Sequence, residues 1–160
     1  MDNGVLIHRP ENPAKTYLKR YRALLARQES IQRAIDAAYD RAYSCTARLK
    51  PVNVQGGNAA YDRMAEDVAK ITDETEQLRA VKRQVDAALD EILAAIEAVP
   101  DETQKAVLTM RYVEGLDWIS IAQRIQYEER MTFIIHGRAL WVVNQWLKSE
   151  QENAVVKVVY

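Results

Sequence analysis

Residues that could carry acid–base, nucleophilic or metal chemistry are scarce in this chain, with two histidines, His8 and His136, and one cysteine, Cys45. A single cysteine cannot form an internal disulfide. No glycine-rich phosphate loop and no metal-spaced set of ligands is present in the sequence. Carboxylates are plentiful, but Asp86, Asp90 and Glu91 stand among many other charges and read as a solvated helix face before they read as a catalytic acid and base. The expected class is therefore not an enzyme, and no cofactor or metal is expected.

The elements that position the remaining side chains are helical by composition. The chain has 160 residues, 48% hydrophobic and 28% charged, with five glycines and four prolines. That is the profile of one ordered domain, or of one small domain with an extension. The longest uninterrupted apolar runs, "ILAAI" and "ALWVV", are five residues each. A membrane span needs about 18 or more, so no transmembrane helix is expected. The start "MDNGVLIHRP" lacks a basic segment followed by an apolar one, which predicts a protein that stays in the cytoplasm.

The net charge of −1 conceals an uneven distribution: residues 1–50 carry ten Lys/Arg against five Asp/Glu, residues 51–99 carry five against ten, and residues 100–148 balance at six each. Both charged segments have heptad seams. In the first, Tyr17, Tyr21, Leu24, Gln28, Ile31, Ile35, Ala38, Ala42, Cys45 and Leu49 follow at alternating steps of four and three. In the second, Tyr61, Met64, Val68, Ile71, Thr75, Leu78, Lys82, Val85, Leu89, Ile92, Ile96 and Val99 do the same. Between them, "KPVNVQGGN" breaks the helix with Pro51, Gly56 and Gly57. Rods of roughly 50 and 59 Å joined by a short loop predict an antiparallel coiled-coil hairpin. Opposite charges on the two segments favour the same pairing. The basic face of the first rod, including Lys15, Lys19, Arg20, Arg22, Arg27, Arg33, Arg41 and Arg48, reads as a partner for the acidic second rod, with a nucleic-acid track as the other reading. Gln28 and Lys82 are polar seam positions of the kind that fix register, and Cys45 beside Ala38 and Ala42 is expected to be a packing residue.

Pro100 ends the second rod, and "PDETQ" reads as a new helix start. The segment "ETQKAVLTMRYVEG" closes at Gly115, a natural helix C-cap. Asp117 is a candidate N-cap for "LDWISIAQRI". After "QYEE" a last helix follows, with Ile135, Ala139, Leu140, Val143 and Trp146 or Leu147 as its inner stripe. A three-helix module is the simplest outcome.

The stretch "VPDETQKAVLTMRYVEGLDWISIAQRIQYEERMTFIIHGRALWVV" resembles the region-4 helix-turn-helix of bacterial sigma factors and, more closely, a phage and prophage family of sigma-like transcriptional regulators. The resemblance spans about Val99 to Val143, carried by "RYVEGLDWISIA" and "HGRAL". It implies that the helix beginning near Glu128 enters a DNA major groove, with Arg130, Thr132, Arg138, Lys105 and Arg111 as the contacts to DNA. It also implies double-stranded DNA as partner, with the hairpin dimerising or holding RNA polymerase. His136, within "HGRAL", is expected to pack or to meet a phosphate.

The matching stretch departs from that pattern at Met131, Phe133 and Ile134, where base edges and phosphates would demand donors and acceptors. With Thr132 and Ile135 facing the core, as the alignment implies, Phe133 and Ile134 are partly exposed, with Trp141 about two turns on. Glu128 and Glu129 stand where a phosphate backbone would approach; they also suit a helix N-terminus. The alternative expectation is a phage-derived interaction protein on the same scaffold, an inhibitor of host RNA polymerase or of a defence nuclease in the manner of an anti-CRISPR, contacting a host protein through Met131, Phe133, Ile134 and Trp141.

The expected layout is all-α: an N-terminal arm over 1–13, a hairpin over 14–99 with its loop near 50–58, a helix-turn-helix module over 100–148 and an apolar tail over 149–160. The tail "SEQENAVVKVVY" favours β structure by composition, as a short strand added to a second protomer or a partner, or as a frayed end. This layout also leaves room for a homodimer through the coiled coil or the tail, and the sequence does not set the oligomeric state.

Overall fold

The computed structural model of the protein describes residues 11–47 and 58–159. Among these the chain is all helical, with no strand. Helix α1 spans Pro13–Ala47, α2 Asn58–Glu97, α3 Glu102–Leu108, α4 Trp118–Ile125 and α5 Glu129–Val159. Helix α3 runs on as a π-helical stretch over Thr109–Glu114. Most of the N-terminal arm with His8, the loop near 50–58, and seam residue Leu49 lie outside the described residues. So do the side chains of Cys45, Tyr61 and Met64 and those beyond Ala154. No described helix is long and apolar enough to cross a membrane.

The chain forms two compact units, one of Met1–Arg22 with Ala88–Tyr160 and one of Ala23–Ala87. In the second unit the seam positions Ile35, Ala38, Ile71, Leu78 and Val85 are buried, and Val81 joins them as an inward position beside the seam. The polar seam positions Gln28 and Lys82 line one surface cleft together with Glu29, Gln32 and Arg33. Among the described apolar seam residues Val68 departs from the pattern, standing exposed, and polar Lys82 is exposed as well.

The first unit holds the larger core. Leu18 of α1, Ile92 and Ile96 of α2, Val99, Leu108, Tyr112, and Ala139, Leu140 and Val143 of α5 form one buried cluster. Each large apolar side chain buried there contributes about 1.5–3 kcal/mol. Two further rows are legible only in three dimensions. Ala88 and Ala95 are buried beside the α2 seam, and Ala14 and Leu18 are buried beside Tyr17 and Tyr21. The start of α1 is fastened to α5: Asn12 Oδ1 accepts from Ala14 N at 3.0 Å and from Asn144 Nδ2 at 2.9 Å. Opposite Glu91 of α2, Tyr17 donates its hydroxyl to the backbone oxygen at 3.4 Å and Arg20 pairs with the carboxylate.

The tail differs from the β-favouring expectation, since α5 continues as one helix through Val159. Between Gly137 and the end of the chain the sequence has neither glycine nor proline. Extending a formed helix costs far less than starting one, and this outweighs the modest β preference of the valines.

Candidate functional site

Local chemistry fixes both ends of the turn before α5. The Asp117 carboxylate accepts from Ser120 N at 2.7 Å and so caps α4, and that backbone hydrogen bond holds its pKa below the usual carboxylate value. Helix α4 ends at Gln126, which takes a left-handed conformation with φ 58°, a position more often filled by glycine or asparagine. Tyr127 N then donates to Ala122 O at 3.0 Å, and α5 begins two residues later. Ile135 of α5 packs against Val107 and Ile121, while Trp118 and Ile125 of α4 cover the same cluster.

With Thr132, Ile135, His136, Ala139, Leu140 and Val143 turned inward, Arg130, Ile134, Gly137, Arg138 and Trp141 line the outer face of α5. Trp141 is 64% exposed and Ile134 43%. A Cβ added at Gly137 would meet nothing within 4 Å, so a patch of bare backbone lies between the two large apolar side chains. Met131 and Phe133 flank this face and are exposed to 44% and 48%. The Phe133 ring lies 4.7 Å from that of Trp118, so this side chain also ties α5 to α4.

The five DNA contacts implied by the resemblance do not lie together. Arg130 and Arg138 share the outer face of α5. Thr132 is fully buried and donates its hydroxyl to Glu128 O at 3.1 Å, so it has no free side toward a ligand. Lys105 stands on α3 with its ammonium 3.0 Å from both Glu97 and Glu102; the hydrogen bond to Glu97, followed by that to Glu102, raises its pKa. Arg111 turns away from α5's outer face, donating to Leu116 O at 2.8 Å and lying over the Trp118 ring at 4.7 Å. The four apolar candidates, Met131, Phe133, Ile134 and Trp141, are all exposed.

No protein-family model, curated protein or solved structure gives a significant match to the chain. What the site can do rests on its own geometry.

Sequence spacing did not reveal a second feature of the same unit. Lys15, Lys19 and Arg22 of α1 line a cleft of about 280 Å³ together with Arg111, Tyr112, Gly115 and Trp118. The i, i+4, i+7 spacing of the three α1 residues was visible, but their partner came from residues some ninety positions away. Arg111 and Tyr112 are neighbours on the π-helical stretch; Arg111 is directed to the cleft, and Tyr112 is buried in the core with one side against the cleft. Wide π-helical turns recur at functional sites. Gly115 has φ +78° and admits Arg22: a Cβ there would stand 2.5 Å from the guanidinium carbon.

Proposed function

We propose that the chain is a sigma-like DNA-binding transcriptional regulator. In this reading α4 and α5 form a helix-turn-helix, α5 enters the major groove, and α1 and α2 form an antiparallel hairpin that dimerises or holds RNA polymerase. The outer face of α5 is the observation that supports it most directly: Arg130 and Arg138 are exposed two turns apart on a helix whose start is set by a short turn from α4. Guanidinium groups so placed, roughly 12 Å apart along the axis, reach base edges or phosphates of one groove. The hairpin is supported by opposed numbering, since Tyr17 and Arg20 meet Glu91 whereas Gln28 and Arg33 share a cleft with Lys82.

The test is binding of the full chain to duplex DNA across a salt series. Arg130→Ala with Arg138→Ala weakens binding and flattens its salt dependence if those side chains meet DNA. Unchanged binding removes α5 from the interface.

A second reading is favoured by the four apolar side chains around the same face, whose exposure suits a protein surface better than a phosphate backbone. Here α5 captures a host protein, RNA polymerase or a defence nuclease, and DNA binding is absent. Ile134→Ser with Trp141→Ser abolishes such a complex and leaves the fold intact, because neither belongs to the buried clusters. Phe133 is the poorer probe, being packed on Trp118.

A further inference from the structure

The cleft beside α4 gathers four cations from two distant segments of chain: Lys15, Lys19 and Arg22 from one face of α1, and Arg111 from the π-helical stretch. Their commitments differ. Lys19 pairs with Glu11 at the edge of the group. Arg111 is held in place by Leu116 O and by the Trp118 ring, contacts that orient a guanidinium without neutralising it. Among the described residues, Lys15, Arg22 and Arg111 have no carboxylate within ion-pair distance. Three other cations of the unit are matched, Arg20 by Glu91, Lys105 by Glu97 and Arg124 by Glu114, while Arg130, Arg138 and Lys148 stand singly along α5 with no ion pair among the described residues. Glu11 and Asp117 act on Lys15 and Arg111 only at longer range, so the like charges drawn together here still repel, and an anion in their midst reverses the sign of that interaction.

We infer that Lys15, Lys19, Arg22 and Arg111 form a binding site for a phosphate group. Two guanidinium forks and two ammonium groups offer donors for all the oxygens of a phosphate, and three cations without a carboxylate in direct contact match a doubly charged anion better than a single carboxylate. The cleft volume of about 280 Å³ accommodates the group together with part of the molecule that carries it. Trp118 supplies an aromatic wall, the buried Tyr112 lies at the inner side, and Gly115, having no Cβ, lets the Arg22 guanidinium lie against its backbone. None of the lining residues is on α5, so the site stands independently of how α5 is used. The carrier is a small phosphate ester or the backbone of a nucleic acid, which share the same chemistry at this point.

The experiment titrates the isotopically labelled full chain with sodium phosphate, replacing sodium chloride at constant ionic strength, and follows the backbone amides of Gly115 and Gly137. Gly115 lines the cleft and Gly137 lies on the outer face of α5. The expected result is a saturable shift at Gly115 with Gly137 unmoved, and a loss of affinity of about tenfold or more in Lys15→Ala/Arg22→Ala. Arg22→Gln keeps a polar side chain, shorter than arginine and uncharged, and shows a loss in the same direction if charge is what binds. A Gly115 signal that stays still, or that drifts with Gly137 without saturating, overturns the site, as does wild-type affinity in both variants. Adding a short DNA duplex then separates the carriers. Displacement of phosphate from Gly115 by the duplex assigns the site to backbone phosphates. Phosphate binding that the duplex leaves untouched assigns it to a small ester, and that holds even where the chain binds no DNA.

Discussion

The hydroxyl of Tyr112 lies 2.9 Å from Nε2 of His136, joining the π-helical stretch to α5 inside the core. Burial, with lesser effects from Lys15 and Arg111, pushes the His136 pKa down from 6.5 to about 4, and burial pushes Tyr112 up to about 12. The imidazole is therefore neutral in the fold, and its Nε2 can accept a hydrogen bond from the phenol hydroxyl. An edge contact from Trp118, with ring centroids 4.8 Å apart, closes the third side.

A histidine held below its unfolded pKa makes the fold depend on acid. Its contribution is complete above pH 6.5 and is lost progressively as the pH falls toward 4, by roughly 3 kcal/mol in all for one buried proton site. Thermal melts of the wild type are expected to drop over that window. In His136→Gln, which cannot titrate, the same window is expected to be flatter, and an identical acid slope in both proteins would remove His136 as its cause.

Gln126 is the one described non-glycine residue with positive φ. Gln126→Gly relieves that conformation and is expected to stabilise the fold by about 0.5–1 kcal/mol, the greater freedom of glycine in the unfolded chain offsetting part of the gain. Chemical denaturation measures it, and a loss of stability would show that the glutamine side chain contributes more than its backbone costs.

Gly137 gives a test in which stability and binding part company. A methyl group there meets open space, so Gly137→Ala should raise stability by roughly 0.5–1 kcal/mol through helix propensity. If α5 lies closely against DNA or a partner, the same methyl weakens the complex. Stabilisation with unchanged affinity would place the contact elsewhere.

Thr132→Val separates core from contact at one position. The side chain is completely buried and its hydroxyl returns to Glu128 O, so the near-isosteric change is expected to leave duplex binding unaltered, with a stability change within about 1.5 kcal/mol. Arg130→Ala, one turn away from the core side, is expected to do the reverse. A binding defect in Thr132→Val at full stability would return that residue to the interface.

Much of the local architecture was legible because it depends on neighbours in the chain. The heptad steps that ran through Ile35, Ala38, Ile71, Leu78, Val85, Ile92 and Ile96 mark residues that the structure buries. Asp117 and Gly115 cap the helices where their side-chain chemistry allows. Polar Gln28 and Lys82 stand out of the apolar seam in sequence and share one cleft in space. With Thr132 and Ile135 set inward by the resemblance, helical periodicity left Phe133, Ile134 and Trp141 outward, where the structure has them exposed, and so raised the question of what that face meets.

Tertiary structure decided what periodicity cannot carry. A cation's role depends on which charge it meets: Lys105 is matched by Glu97 and Glu102, while Arg111 is turned to a cleft by Leu116 O and Trp118. The three basic residues of α1 look like any solvated helix face until Gly115 and Arg111 stand beside them. Likewise α5 runs on through a tail rich in valine, because a growing helix needs a stop signal more than it needs favourable residues. Helical periods and caps are short-range and can be read from the chain itself. Electrostatic fields and clefts sum over residues that only folding brings together, and in this protein those sums set Arg111, turned to a cleft, apart from Lys105, matched by carboxylates.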